Sequence, residues 1–85
     1  MDVLAYPTLE RILRAQLPAL SADATIPPDL PLSTVGLDSV GTVVLMDTVE
    51  DIFGVTFPEA AIVPATFRTP ASLWAVLEPL TGAGR

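Results

Sequence analysis

Asp38 and Ser39 place a carboxylate and a hydroxyl directly before the most regular apolar pattern in the chain. A short oxygen side chain at such a point accepts hydrogen bonds from the free amides of a first helical turn, so we expect Asp38 or Ser39 to cap a helix. The start of a helix also presents the positive end of the helix dipole. A phosphodiester esterified to Ser39 would be stabilised there, and the projecting first turn would leave the hydroxyl exposed.

The chain contains no histidine and no cysteine. A Ser–His or Cys–His nucleophile therefore cannot be assembled within it, and a hydrolase that uses Ser39 would lack its base. Disulfides, thiolate metal sites and the usual zinc sites are excluded for the same reason. We expect no catalytic residue and no metal site, and the lack of cysteine fits a reducing compartment.

Size and charge narrow the class of protein further. The 85 residues suffice for one domain, and the hydrophobic share of 51% favours a packed core over disorder. Ten acidic residues against four basic ones give a net charge of −6, which disfavours nucleic acid and favours partners with basic surfaces. No segment approaches the roughly 20 apolar residues that span a bilayer, and the N-terminus lacks the features of a signal peptide. We expect a cytoplasmic protein that binds neither nucleic acid nor membrane.

The first helix is predicted over Thr8 to Leu17, between Pro7 and Pro18. Its apolar face comprises Leu9, Ile12, Leu13 and Leu17. A long proline-rich loop should follow from Pro18 to Gly36. We expect this loop to be ordered, because apolar residues within it can pack across the helices; they are Ile26, Leu30, Leu32 and Val35.

The second helix is predicted to begin at Asp38 or Ser39 and to stop at Gly54. Its core face recurs at helical spacing and comprises Thr42, Leu45, Met46, Val49 and Phe53. One or two further helical turns fit between Glu59 and Val63, closed by Pro64. Thr69 and Pro70 then predict a last helix, which ends at about Leu77 or Glu78 before Pro79. Its core face comprises Leu73, Val76, Leu77 and Leu80.

These elements predict an all-α fold: a small right-handed bundle of three main helices plus one short helix, with a long loop between the first two. We expect a single domain over residues 1–85, with a core of about 8–80 and a flexible tail at 81–85. Phe67 is expected to anchor the core rather than contact a cargo, Arg68 to be a solvated surface charge, and Trp74 to cover a helix interface.

The segment Gly36-Leu37-Asp38-Ser39-Val40 resembles the G-x-D-S-[LVI] phosphopantetheine attachment motif of acyl and peptidyl carrier proteins. The long first loop, the face of the second helix, the exit through Phe57 and Pro58, and the final amphipathic helix resemble that family as well. The resemblance covers roughly Thr8 to Leu80. The alternative interpretation is that Asp38 and Ser39 do no more than cap a helix.

The resemblance implies that Ser39 is the covalent attachment point of 4′-phosphopantetheine and that Asp38 helps to present Ser39 to the modifying enzyme. It implies three kinds of partner: a phosphopantetheinyl transferase that uses coenzyme A, an adenylating ligase or acyltransferase that loads the cargo, and a downstream synthase or transferase. The cargo would be an acyl or aminoacyl thioester on the terminal thiol. The chain would be a monomeric carrier and not an enzyme.

The side of the second helix that faces away from its core is centred on Val40, Val44, Asp47 and Asp51, with Val43 and Thr48 at its flanks. We predict that this face docks partners, with Asp47, Glu50 and Asp51 supplying charge steering. The alternative is that Val40, Val43 and Val44 pack against the long loop.

The mixed apolar and acidic face, with Gly41 and Val44 where fatty-acid carriers often have acids, resembles carriers of polyketide or nonribosomal pathways. The stretch Pro64 to Thr69 is similar to the P-x-x-F-x-T segment of some discrete carriers that accept amino acid or aryl groups. A second hypothesis is a noncatalytic helical adaptor that binds a partner through the face of the second helix and needs no modification.

Overall fold

The computed structural model describes residues 6–20 and 25–81. Within these ranges three α-helices form the bundle: α1 over Tyr6–Gln16, α2 over Ser39–Phe53 and α3 over Pro70–Leu80. Three short 3₁₀ turns lie between them, over Leu32–Val35, Glu59–Ala61 and Pro64–Phe67. The described residues contain no strand, so the predicted all-α class is confirmed.

Each helix contributes fully buried side chains to one core. The fully buried leucines and valine of the three helices are Leu9, Leu13, Leu45, Val49, Leu73 and Leu77. They lie on the faces that the helical spacing predicted, because burying an apolar stripe is what drives each helix against its neighbours. Thr42, Met46, Val76 and Leu80, also predicted for the core, are only half-buried.

The long loop is ordered over its described part, as predicted. Ile26 and Leu32 are buried in the core, and Leu30 and Val35 pack against it. The 3₁₀ turn that contains Leu32 was not predicted. It ends at Gly36, whose φ of 102° lies in the left-handed region that favours glycine. Residues 21–24 of the predicted loop lie outside the described residues.

The segment after α2 differs from the prediction. One helical region closed by Pro64 was expected between Glu59 and Val63, but the structure has two 3₁₀ turns, and Pro64 begins the second of them. Proline suits a first helical position because its missing amide would have no partner there. Phe67 in this second turn is buried and stacks on Phe57, with ring centroids 5.6 Å apart, so its role as a core anchor is confirmed.

Helix α3 begins as predicted but ends later. Thr69 and Ser72 form a reciprocal capping box at its start. The predicted end at Leu77 or Glu78 is wrong, since the helix continues through Pro79 to Leu80. A proline this close to the end removes only one amide, and the amide of Thr81 still donates to the carbonyl of Leu77 at 3.0 Å. Of the predicted tail, residues 82–85 lie outside the described residues.

Trp74 covers a helix interface, as predicted. Its ring meets the edge of Tyr6 from α1, with centroids 5.8 Å apart, and lies 6.3 Å from the ring of Phe53 at the end of α2. The aromatic contacts therefore join all three helices at one end of the bundle. Within the described ranges no helix is both long and apolar enough to cross a bilayer.

Candidate functional site

The start of α2 is fixed by Asp38. Its backbone is extended, and its carboxylate oxygen Oδ1 accepts a hydrogen bond of 2.7 Å from the amide of Gly41. The Asp38 carbonyl accepts from both the amide and the hydroxyl of Thr42, each at 2.8 Å. Asp38 rather than Ser39 is thus the N-cap, and Ser39 is the first residue of the helix.

Because Gly41 has no side chain, the Asp38 carboxylate has room to cap the helix. A Cβ atom at Gly41 would lie 3.2 Å from the Asp38 carboxylate and 3.3 Å from a methyl group of Leu37. Any larger residue would have to displace one of these groups by a few tenths of an ångström. The capping geometry therefore gives a physical reason why glycine, and not an acid, stands at this position.

The loop before the site is held by backbone hydrogen bonds. The carbonyl of Leu32 accepts from the amide of Leu37 at 3.1 Å, directly before the cap. The amide of Leu32 donates to the carbonyl of Arg68 at 2.9 Å. Because Leu32 is also fully buried, its side chain and its backbone together anchor the loop that leads to Ser39.

Ser39 is exposed, and no described residue hydrogen-bonds its hydroxyl. The hydroxyl lies in the first turn of α2, where free amides and the helix dipole favour negative charge. The position expected from the sequence is therefore the observed one: an accessible oxygen at the electropositive end of a helix.

A cleft of about 580 Å³ opens beside Ser39. One wall comprises Leu37, Asp38 and Thr42 around the start of α2. The opposite wall comes from the segment after α2 and comprises Ile62, Val63, Phe67 and Arg68. The cleft is thus more apolar than polar, with Ser39, Asp38 and Arg68 among its polar lining residues.

The predicted docking face is exposed at its apolar end. Val40 is 74% exposed, Val43 54% and Val44 44%, so the alternative that these side chains pack beneath the loop is wrong. Asp47 and Asp51 are exposed further along the same helix. The structure therefore brings an apolar patch next to Ser39 and two carboxylates to its far side.

Two residues of this region have structural partners instead. The hydroxyl of Thr48 accepts from the amide group of Gln16 at 3.1 Å and donates to the carbonyl of Val44 at 2.8 Å, so it joins α2 to α1. The carboxylate of Glu50 accepts from the amide of Phe57 at 2.7 Å and is half-buried. Glu50 therefore holds the chain after α2, and the steering role expected for it is not the one its geometry favours.

Sequence reasoning missed Ile62 and Val63. They are 48% and 43% exposed and line the cleft. The signal was weak: two large apolar residues stand between Pro58 and Pro64 in a segment without helical periodicity. Such a segment does not show by spacing which of its side chains face solvent.

Comparison with known proteins identifies the class. Residues 8–77 match the family described as phosphopantetheine attachment site. The chain belongs to this family of carrier domains, which hold 4′-phosphopantetheine as a prosthetic group. The family resemblance and the cofactor expected from the sequence are thereby confirmed. A comparison with curated proteins finds no match.

Two solved structures are similar over nearly the whole chain. The first is the crystal structure of Bradyrhizobium japonicum glycine:carrier protein ligase complexed with its cognate carrier protein and an analogue of glycyl adenylate. The identity is 29% and the TM-score 0.76, over 92% of this chain and 99% of the matched one. The second holds the same ligase with glycylated carrier protein, at 29% identity and a TM-score of 0.73, over 88% and 99% of the two chains. In both, the matched chain is the carrier protein.

The groups at the start of α2 fit a phosphopantetheine arm. The arm needs an accessible hydroxyl, an environment that tolerates the charge of a phosphodiester, and a path for an extended chain. Ser39 offers the hydroxyl, the first turn of α2 offers the free amides, and the cleft offers the path.

Proposed function

We propose that Ser39 is the residue that carries the phosphopantetheine arm and that the chain delivers thioester-bound cargo between partner enzymes. The observation that supports this most directly is the exposed Ser39 hydroxyl, unpaired among the described residues, in the first turn of α2 and inside the segment that matches the family. When bound, the arm supplies a terminal thiol that holds the cargo as a thioester.

The residues of this chain prepare the site rather than perform a reaction. Asp38 caps α2 and so sets the direction in which the Ser39 hydroxyl projects. The free amides of the first turn offset the negative charge that a phosphodiester brings. We assign the base that removes the hydroxyl proton to the transferase, because the chain has no histidine and the neighbouring Asp38 carboxylate already accepts the amide of Gly41 as a cap. We therefore propose that all loading and transfer chemistry comes from partners.

For the cargo we propose an aminoacyl group loaded by an adenylating ligase. The two similar structures hold their carrier protein with a ligase named for glycine, and one of these carriers is glycylated. The Pro64 to Thr69 stretch resembles the same kind of carrier, and its Phe67 lines the cleft. The patch of Val40, Val43 and Val44 is the surface on which we expect the ligase to dock.

We place the chain in a specialised-metabolite pathway, polyketide or nonribosomal, in which a downstream synthase or transferase accepts the cargo. The mixed character of the exposed α2 face supports this: its end near Ser39 is apolar, and Asp47 and Asp51 lie further along. Charge steering by these two carboxylates would favour a partner with a basic rim.

A noncatalytic adaptor is the second candidate, favoured by the same exposed valines. The two functions differ in their need for Ser39. Incubation with a phosphopantetheinyl transferase and coenzyme A should raise the intact mass of the carrier by one arm. Ser39→Ala should abolish this gain in mass. Ser33→Ala should keep it, although Ser33 is also an exposed serine that lines the cleft. An unchanged mass of the parent chain, under conditions that modify a control carrier, would leave the adaptor as the better account.

A further inference from the structure

Arg68 is the one basic residue among the described residues that line the cleft, and it shares that cleft with Ser39. The sequence alone suggested a solvated surface charge. The residue is indeed exposed, and it also lines the cleft, in the segment that follows α2. Among the described residues that line the cleft, Asp38 is the only acidic one.

The guanidinium of Arg68 has no hydrogen-bond or ion-pair partner among the described residues. Its backbone, in contrast, is held at both ends: its carbonyl accepts from the amide of Leu32 at 2.9 Å, and its amide donates to the carbonyl of Ala65 at 3.4 Å. The backbone bonds hold the Arg68 backbone beside the cleft, and the guanidinium remains available to a ligand because no described residue occupies it.

The backbone bonds also set Arg68 relative to Ser39. Leu32, which donates to Arg68, accepts in turn from the amide of Leu37, the residue before the Asp38 cap. Two hydrogen bonds thus connect the segment that carries Arg68 to the one that carries Ser39. The two residues cannot drift apart without breaking one of these bonds or moving the buried Leu32 side chain.

An arm on Ser39 would bring a second negative charge to this place. Its phosphodiester would lie near the Asp38 carboxylate, on a chain whose net charge is already −6. Two neighbouring anions repel, and an arginine offsets this best because its planar fork donates two parallel hydrogen bonds to phosphate oxygens.

We propose that the Arg68 guanidinium binds the phosphodiester of the arm on Ser39 and thereby directs the first part of the arm into the cleft, over Ile62, Val63 and Phe67. This inference rests on the proposed attachment to Ser39. It assigns Arg68 a positioning role for the arm, distinct from partner docking on the exposed valines of α2.

The test is nuclear magnetic resonance of ¹⁵N-labelled apo and holo protein, with the arm verified by intact mass on the same samples. The chain has four arginines and no lysine, so the arginine Nε–H signals can be assigned one by one. We expect the Arg68 Nε–H signal to shift in the holo form and its hydrogen exchange to slow about tenfold, as for a charge-assisted hydrogen bond. The signal of Arg11, exposed on α1, should not change.

A second measurement uses the phosphorus signal of the arm. Arg68→Gln should move the ³¹P resonance of the holo protein, and Arg11→Gln should leave it in place. If the mass shows that the holo protein carries the arm and the Arg68 signal is still the same as in the apo protein, the inference is overturned and the attachment to Ser39 stands. A sample that never acquires the arm on Ser39 would overturn both, and the mass spectrum tells these two failures apart.

Discussion

The carboxylate of Glu50 accepts a hydrogen bond of 2.7 Å from the backbone amide of Phe57, seven residues later in the chain. The contact closes the turn that follows α2, beyond the C-cap Gly54, whose φ of 69° allows the helix to end there. The bond holds Phe57 where its ring stacks on Phe67, which lines the cleft beside Ser39. A chain of contacts therefore connects the exit of α2 to a residue that lines the site.

Glu50→Ala should lower the free energy of unfolding by about 1.5–3 kcal/mol, because it leaves a partly buried amide without its charged acceptor. Urea unfolding followed by circular dichroism measures the change. Asp51→Ala is the matched control, because it removes an exposed carboxylate one residue away. It should change the free energy of unfolding by no more than about 0.5 kcal/mol. Equal effects of the two variants would contradict a structural role for Glu50.

Asp38→Ala should cost about 1 kcal/mol of stability through loss of the N-cap of α2. Asp38→Asn keeps an oxygen in the same place and should recover most of that loss. The pair also separates two roles: if Asp38 presents Ser39 to the transferase through its charge, the asparagine variant will be stable and yet be modified more slowly. If the stable Asp38→Asn protein is modified as fast as the parent, the charge of Asp38 has no part in presenting Ser39, and its role is capping alone.

The face of α2 can be tested without disturbing the core. Val43→Asp puts a charge into the apolar patch and should raise the KM of the loading ligase for the holo carrier about tenfold, the effect of losing roughly 1.4 kcal/mol of binding energy. Ile52→Asp is the matched control, since Ile52 is 45% exposed near the other end of the helix. The proposed docking surface is wrong if both variants load like the parent, or if Ile52→Asp is the more impaired.

We expect the titration of Tyr6 to lower the stability of the protein at alkaline pH. Burial, and then the nearby charge of Glu10, raise the pKa of its phenol above the usual 10.0. The unfolded chain therefore loses the phenolic proton first, so the stability is fully present below about pH 10 and falls as the pH rises through the folded-state value. Tyr6 is the only tyrosine, so absorbance of the tyrosinate at alkaline pH reports it directly.

Tyr6→Phe should remove this alkaline loss. It also removes a buried hydroxyl that has no hydrogen-bond partner among the described residues, so the variant should be at least as stable as the parent at pH 7. Thermal unfolding between pH 8 and 11 compares the two proteins. The same alkaline slope in both would show that another group causes it.

The helix faces were predictable because each depends on local spacing. Leu45, Val49 and Phe53 recur on one side of α2 and are buried, and Asp38 precedes them as a cap. The cap, the exposed hydroxyl and the motif that resembles carrier proteins lie within five residues, so the sequence alone indicated the candidate site.

The opposite wall of the site was not predictable by such reasoning. The bond between Leu32 and Arg68 joins residues far apart in the chain, and no local pattern marks it. The 3₁₀ turns are too short for a hydrophobic period, so the exposure of Ile62 and Val63 depends on tertiary packing. The partners of Thr48 and Glu50 were hidden for the same reason: a polar residue on a helix surface does not show in sequence whether a neighbouring segment covers it.

Tandem mass spectrometry of the modified chain tests the central claim most directly, because it locates the arm on a residue rather than only detecting it. We predict that fragment ions that include Ser39 carry the mass of one arm and that those ending at Asp38 do not. An arm on Ser33 or another hydroxyl, with Ser39 unmodified, would contradict the account.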